Sequence, residues 1–202
     1  MSVISKVKAV EKVFNALDVE IKSFQQVSKI HCLAGCGKCC FKPDIEATPL
    51  EFLPLAFDLF LTKRIDEVYE ELSTTKKAYC HLFQPKPLSF DQGSCGQYVH
   101  RGLICRLFGY SAYKNSSAKR KYVTCKPIRE SQGEQVEEVN ESLKLTGKIP
   151  MMSDYYYQIR SIDPELGTNR YPINEAIKKA IEYVLGYYAY RKRPSLKVKK
   201  GA

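Results

Sequence analysis

The chain has 202 residues, is 44% hydrophobic and holds eight cysteines; it is long enough to bury its own core and does not need those cysteines as the staples of a miniature disulfide scaffold. Lys and Arg number 32 against 22 Asp and Glu, for a formal charge of +10, but the final twelve residues, RKRPSLKVKKGA, carry six of the basic side chains and no acid, and without them the balance falls to +4. The basic character is largely that of the tail.

The opening MSVISKVKAVEKVF alternates lysines with single apolar residues, unlike the continuous apolar run of a secretory signal, and no window has the apolar length of a membrane span. These features predict a cytoplasmic protein. There thiols stay reduced, and clustered cysteines point to metal before disulfides. A single domain is expected over residues 1–190, with a cysteine-cluster core over about 30–130, flanking N- and C-terminal helices, and a basic disordered tail over 191–202.

From Val3 to Ile30 the apolar residues Val3, Val7, Val10, Phe14, Leu17, Ile21, Phe24 and Val27 recur at steps of three or four, the spacing of one buried helix face. That helix leads into Cys32, Cys36, Cys39 and Cys40, a CxxxCxxCC stretch. Next, Thr48-Pro49-Leu50-Glu51 reads as a helix start, with Thr48 as N-cap, Pro49 at the first helical position and Glu51 closing a capping box. Phe52, Leu55, Leu59 and Phe60 continue it, with Pro54 in its first turns, and a short helix follows over about Ile65 to Leu72.

Cys80, Cys95, Cys105 and Cys125 lie in a Gly-, Ser- and Tyr-rich region where short strands or irregular backbone are expected, with turns at Asp91-Gln92-Gly93-Ser94 and Lys114-Asn115-Ser116-Ser117. Gly133 to Leu145 is a helix candidate, Met151 to Arg160 is too aromatic to assign, and Asp163-Pro164-Glu165 opens a turn or short helix. Ile173, Ile177, Ala180, Ile181, Val184 and Tyr188 then mark one face of a last helix, started by Pro172 and ended by Arg193-Pro194. The predicted fold is mainly α: a single small helical domain organised around a multi-cysteine metal site, with short irregular or β segments between residues 80 and 130.

Thiolates are soft ligands, which narrows the candidate ions to zinc, iron in an iron-sulfur cluster, or monovalent copper. Eight sulfurs suffice for two four-sulfur sites, one binuclear site, or one cluster with reserve cysteines. Cys36 and Cys39 form a CxxC, whose two-residue gap lets both sulfurs converge on one ion. Adjacent Cys39 and Cys40 tend to diverge along the backbone, which favours two centres or a polynuclear one.

All eight cysteines, Cys32, Cys36, Cys39, Cys40, Cys80, Cys95, Cys105 and Cys125, are therefore candidate ligands. Four thiolates on one zinc leave a formal charge of minus two, and Lys38, Arg101 and Arg106 are the nearby cations in sequence able to offset it. His31, His81 and His100 lie next to or near cysteines; His81 is the preferred extra ligand.

The pattern Cys32-Leu33-Ala34-Gly35-Cys36-Gly37-Lys38-Cys39-Cys40, followed by the Ile45 to Glu51 segment and by Cys80, Cys95, Tyr98, Arg101, Cys105, Arg106 and Cys125, resembles the YkgJ-like cysteine-cluster proteins, a zinc- or iron-chelating family. Gly102 stands where relatives usually carry proline. The resemblance covers about residues 30 to 130 and implies metal binding. Some relatives are flagellin lysine methylases with an iron-sulfur cluster, so it also implies an alternative, an iron-sulfur-dependent protein-lysine methyltransferase-like enzyme.

The CxxxCxxC of Cys32, Cys36 and Cys39 is also the spacing of radical S-adenosylmethionine enzymes. Those usually carry an aromatic just before the third cysteine, where this chain has Lys38, and they need alternating strands and helices that this sequence lacks. No glycine-rich cofactor loop and no paired carboxylates call for catalysis. The leading expectation is a metal-binding protein whose centre is structural or serves metal handling or redox. Binding of nucleic acid or another acidic partner through Arg191 to Lys200, helped by Tyr155 to Tyr157 and Tyr187 to Tyr190, is the further alternative.

Overall fold

A computed structural model describes residues 1–42, 44–87, 89–142 and 149–194. Ser2 caps the first helix, its Oγ accepting the Ser5 N–H at 3.2 Å, and α1 runs from Val3 to Ser28. Val3, Val7, Val10, Phe14, Leu17, Ile21 and Phe24 are all buried, as their spacing predicts, and they line the long side of the core. The stripe does not pass through Val27, which is 82% exposed. It steps by four from Phe24 to buried Ser28, whose Oγ accepts the Ile30 N–H at 3.2 Å, and the helix stops at Lys29 in a left-handed conformation.

The Thr48 start is present. Glu51 reaches back so that its Oε1 accepts the Thr48 N–H at 2.8 Å and the Thr48 hydroxyl at 3.2 Å. This closes a 3-10 turn, Pro49–Phe52, that leads into α2, Leu53–Leu61. Pro54 falls in the first turn of α2, where its missing N–H has no intrahelical partner to lose. α3, Ile65–Thr74, follows after a short turn.

The last helix, α9 (Ile173–Tyr188), buries Ala176, Ile177, Ala180, Ile181 and Val184 against α2 and α3. The segment too aromatic to assign is α7, Met152–Ile162, which packs on α1 through buried Tyr155 and Ile159. Asp163 then caps the short α8, Pro164–Thr168, its Oδ1 accepting the N–H groups of Glu165 and Leu166.

Between the two helical ends lie short elements. β1 (Glu46–Ala47) pairs with β6 (Tyr171–Pro172), β2 (Phe83–Lys86) with β3 (Ser89–Cys95), and β4 (Ser111–Lys114) with β5 (Arg120–Val123), all antiparallel. Three short helices complete the region: α4 (Leu103–Leu107), α5 (Lys126–Ser131) and α6 (Gly133–Ser142). The fold is mainly α, with sheets of two strands each among the described residues.

The Lys114 to Ser117 turn joins β4 to β5 as expected. The Asp91 to Ser94 turn does not form; those residues lie inside β3. Gly93 is there for close approach, since a Cβ on it would meet the Gln84 carbonyl oxygen at 2.2 Å. The α6 candidate was expected to reach Leu145, and residues 143–145 fall outside the described ones, as do residues 195–202 of the tail. No helix among the described residues is long and apolar enough to cross a membrane.

Candidate metal centre

The first four cysteines ride on two consecutive tight turns. The Cys36 N–H donates to the Leu33 carbonyl at 3.2 Å, and the Cys40 N–H to the Gly37 carbonyl at 2.8 Å. Gly37 makes the second turn possible with a φ of 59°, and it opens the 3-10 turn Lys38–Phe41. A substituent there would also strike the Phe83 ring at 2.5 Å.

Backbone hydrogen bonds bring later cysteines to this loop. The Cys80 N–H donates to the Cys40 carbonyl at 2.9 Å, and the Gly93 N–H to the Gly35 carbonyl at 3.1 Å, which lays the strand carrying Cys95 alongside. Cys105 sits on α4, whose Ile104 N–H is held by Glu51 Oε2 at 3.1 Å. Cys125 immediately precedes α5.

Side-chain amides, which sequence reasoning missed, hold the flanks. Gln132 grips the backbone of His31, its Oε1 accepting the N–H and its Nε2 donating to the carbonyl, both at 2.8 Å. Asn174, in the first turn of α9, accepts the His81 N–H at 2.7 Å and donates to the Tyr79 carbonyl at 2.9 Å. The Tyr110 hydroxyl accepts the Cys32 N–H at 2.6 Å. Each partner lies far away in sequence, so no local motif announces it.

All eight cysteines are free thiols, and together they line two adjoining cavities. The smaller, about 140 Å³, is faced by Cys32, Cys36, Cys39, Cys40, Cys80, Cys95 and Cys105. The larger, about 410 Å³, is faced by Cys32, Cys36, Cys39, Cys105 and Cys125. Cys40, Cys80 and Cys95 thus belong to one side and Cys125 to the other, with four cysteines and Arg101 in the walls of both. Among the described residues, no three or more His, Cys, Asp or Glu side chains are already gathered into a metal-binding cluster; the sulfurs surround the space instead.

Burial holds the thiols of Cys32, Cys95, Cys105 and Cys125 above their ordinary pKa. Cys39 is raised chiefly by its hydrogen bond with Cys40 and then by burial. For Cys40 that same hydrogen bond favours the thiolate, but the contact with Cys80 and burial outweigh it and push the pKa up to about 12. Such thiols stay protonated alone, and a bound cation would displace their protons.

Arg101 works in the opposite direction, favouring the thiolates of Cys32, Cys39, Cys95 and Cys105. Its Nε is buried without a hydrogen-bond partner, and its guanidinium lies 4.2 Å from the centre of the Tyr98 ring. Lys38 lines the larger cavity. Arg106 points elsewhere: its guanidinium donates to Asp18 at 2.5 Å and to the Val99 and Arg101 carbonyls, over the face of Phe14. His81 lines neither cavity; its Nε2 faces Glu71 at 3.2 Å, and burial lowers its pKa. His100 faces Asp58 at 3.8 Å.

The donor set fits a thiophilic ion. Soft sulfurs outnumber every other donor in the cavity walls, and the orphaned N–H of Arg101 is the kind of group that a thiolate shell engages. Searches of curated proteins and of solved structures returned no match. Residues 31–128 match the CxxCxxCC family model, described as "Putative zinc- or iron-chelating domain", in agreement with the cysteine-cluster family that the sequence pattern resembles.

Proposed function

We propose that the chain binds zinc or iron through Cys32, Cys36, Cys39, Cys40, Cys80, Cys95, Cys105 and Cys125, and that the bound metal fastens together the segments between α1 and α6. The observation that carries this reading is the meeting of eight free thiols from separate segments around one pair of cavities, with Arg101 in the walls of both. Bound there, the metal supplies cross-links that irregular backbone cannot make alone. A structural zinc contributes on the order of 10 to 16 kcal/mol, against roughly 5 to 15 kcal/mol for the net stability of a whole domain.

In this reading Arg101 offsets the negative charge of the thiolate shell, and the Gln132 and Asn174 clamps keep Cys32 and Cys80 in place. The test is a series of single Cys→Ser variants, each assayed for metal retained per chain after gel filtration. Cys39→Ser and Cys105→Ser, which face both cavities, are expected to lose the most metal. Retention in every variant equal to that of the unaltered protein would overturn the reading.

A further inference from the structure

We propose that the larger cavity is a binding site for a small organic carboxylate, which enters on the Cys125 side and meets the metal there. The proposal rests on the metal-binding reading and deepens it, because it makes the two sides of the centre unequal.

Size is the first argument. Pockets that take small molecules run from roughly 300 to 1,000 Å³; the cavity of about 410 Å³ falls within that range, and the one of about 140 Å³ falls short of it. A closed thiolate shell needs no such room, and open space beside the ligands is what separates a reactive metal site from a structural one.

The distribution of charge is the second. If cations were present only to neutralise thiolates, they would gather where the sulfurs are most numerous, in the smaller cavity. Instead three lysines, Lys38, Lys42 and Lys126, line the larger one, against one, Lys86, beside Gly35 on the smaller side, while Arg101 serves both. Among the described residues the carboxylate on the larger side is Glu130, engaged with Lys126 at 3.5 Å in an exposed i,i+4 pair of the weak kind that a ligand can replace.

The cavity also offers apolar surface. Phe108, Tyr110 and Ile128 line the same cavity, and the Lys42 Nζ lies 5.7 Å from the centre of the Phe108 ring. Cations beside aromatic and aliphatic walls suit a molecule with an apolar body and an anionic head.

Benzoate is the probe, titrated into the full chain reconstituted with Co2+ and followed both by the visible bands of the cobalt and by NMR. The expected result is saturable binding that shifts the cobalt bands and weakens roughly tenfold in the joint Lys42→Gln, Lys126→Gln variant. Both lysines are exposed, so the fold should survive, and Lys8→Gln, on the exposed side of α1, should leave the affinity unchanged. Failure of benzoate to saturate, binding indifferent to the two lysines, or binding that leaves the cobalt bands unmoved each overturns the proposal. A chain that takes up none of cobalt, zinc and iron overturns the metal reading itself, and the proposal with it, before any benzoate is added.

Discussion

The Oε2 of Glu51 accepts the Ile104 N–H at 3.1 Å while its Oε1 holds the Thr48 N–H at 2.8 Å, so one fully buried carboxylate fixes two helix starts at once. One start leads to the core helix α2; the other belongs to α4, which carries Cys105. Burial raises the Glu51 pKa, and the donors from Thr48 and Ile104 offset part of that rise. Glu51→Gln turns one acceptor into a donor against an N–H, and is expected to cost about 1–3 kcal/mol. Chemical denaturation measures the loss, and faster modification of the Cys105 thiol should accompany it.

The amide clamps make a separate prediction. Gln132→Ala and Asn174→Ala remove side chains whose shortest hydrogen bonds hold the backbone beside Cys32 and Cys80. Each should lower stability by about 1–2 kcal/mol and speed metal loss to a chelator, with the helical signal of α1 and α9 intact by circular dichroism.

Arg101 is expected to act on the metal more than on the fold. Arg101→Met keeps much of the side chain's bulk but removes the guanidinium charge in the walls of both cavities, and partners of metal ligands are typically worth 10- to 100-fold in affinity. Competition with a chelator of known affinity should show a loss of about that size. Arg106→Met should act through stability instead, because Arg106 lines neither cavity and its guanidinium is bound to Asp18 and to the Val99 and Arg101 carbonyls.

Far from the sulfurs, Lys6 of α1 donates to Asp163 and, at 2.5 Å, to the Tyr183 hydroxyl of α9; the Lys6 and Asp163 side chains are only 11% and 10% exposed. Burial opposes charge on both, but their mutual hydrogen bond and attraction outweigh it, so Lys6 is raised above the ordinary lysine range and Asp163 is held below the usual carboxylate range. The aspartate's contribution is then present above its unfolded pKa of about 3.9 and is lost as pH falls through the lower folded value; the lysine's is present below about 10.4 and is lost as pH rises through the higher folded value. Asp163→Asn, which keeps the cap on α8, should cost roughly 3 kcal/mol. The gap from the unaltered protein should be flat from about pH 5 to 9 and narrow below about pH 4, measured by urea denaturation at each pH.

The helices were legible because burial imposes a period: α1, α2 and α9 lie where their apolar stripes put them, although α9 ends at Tyr188, before the expected stop at Arg193-Pro194. Val27 is off the stripe because the buried face steps by four from Phe24 to Ser28, and Lys29 then ends the helix by a left-handed turn without glycine. In α7 the aromatic residues hid a stripe of two buried side chains, Tyr155 and Ile159. Gly93 looked like a turn residue, yet it serves a strand that has no space for a side chain.

At the candidate site the donors could be read from their type and clustering, but their neighbours could not. Arg106 follows a cysteine directly and points at α1, whereas Gln132 and Asn174 reach the cysteine loops from a long way off in the chain. Gly102 has a φ of −63° that any residue tolerates, but an added Cβ would press the Phe52 ring at 2.9 Å and Glu51 at 3.2 Å.

The most direct test is zinc and iron analysis of the purified full chain, paired in one sample with a count of thiols that react before and after denaturation. The account predicts zinc or iron bound stoichiometrically, with most of the eight thiols shielded in the native protein and all of them reactive once it is unfolded and stripped. A folded preparation free of zinc and iron, with its thiols open to reagent from the start, would contradict it.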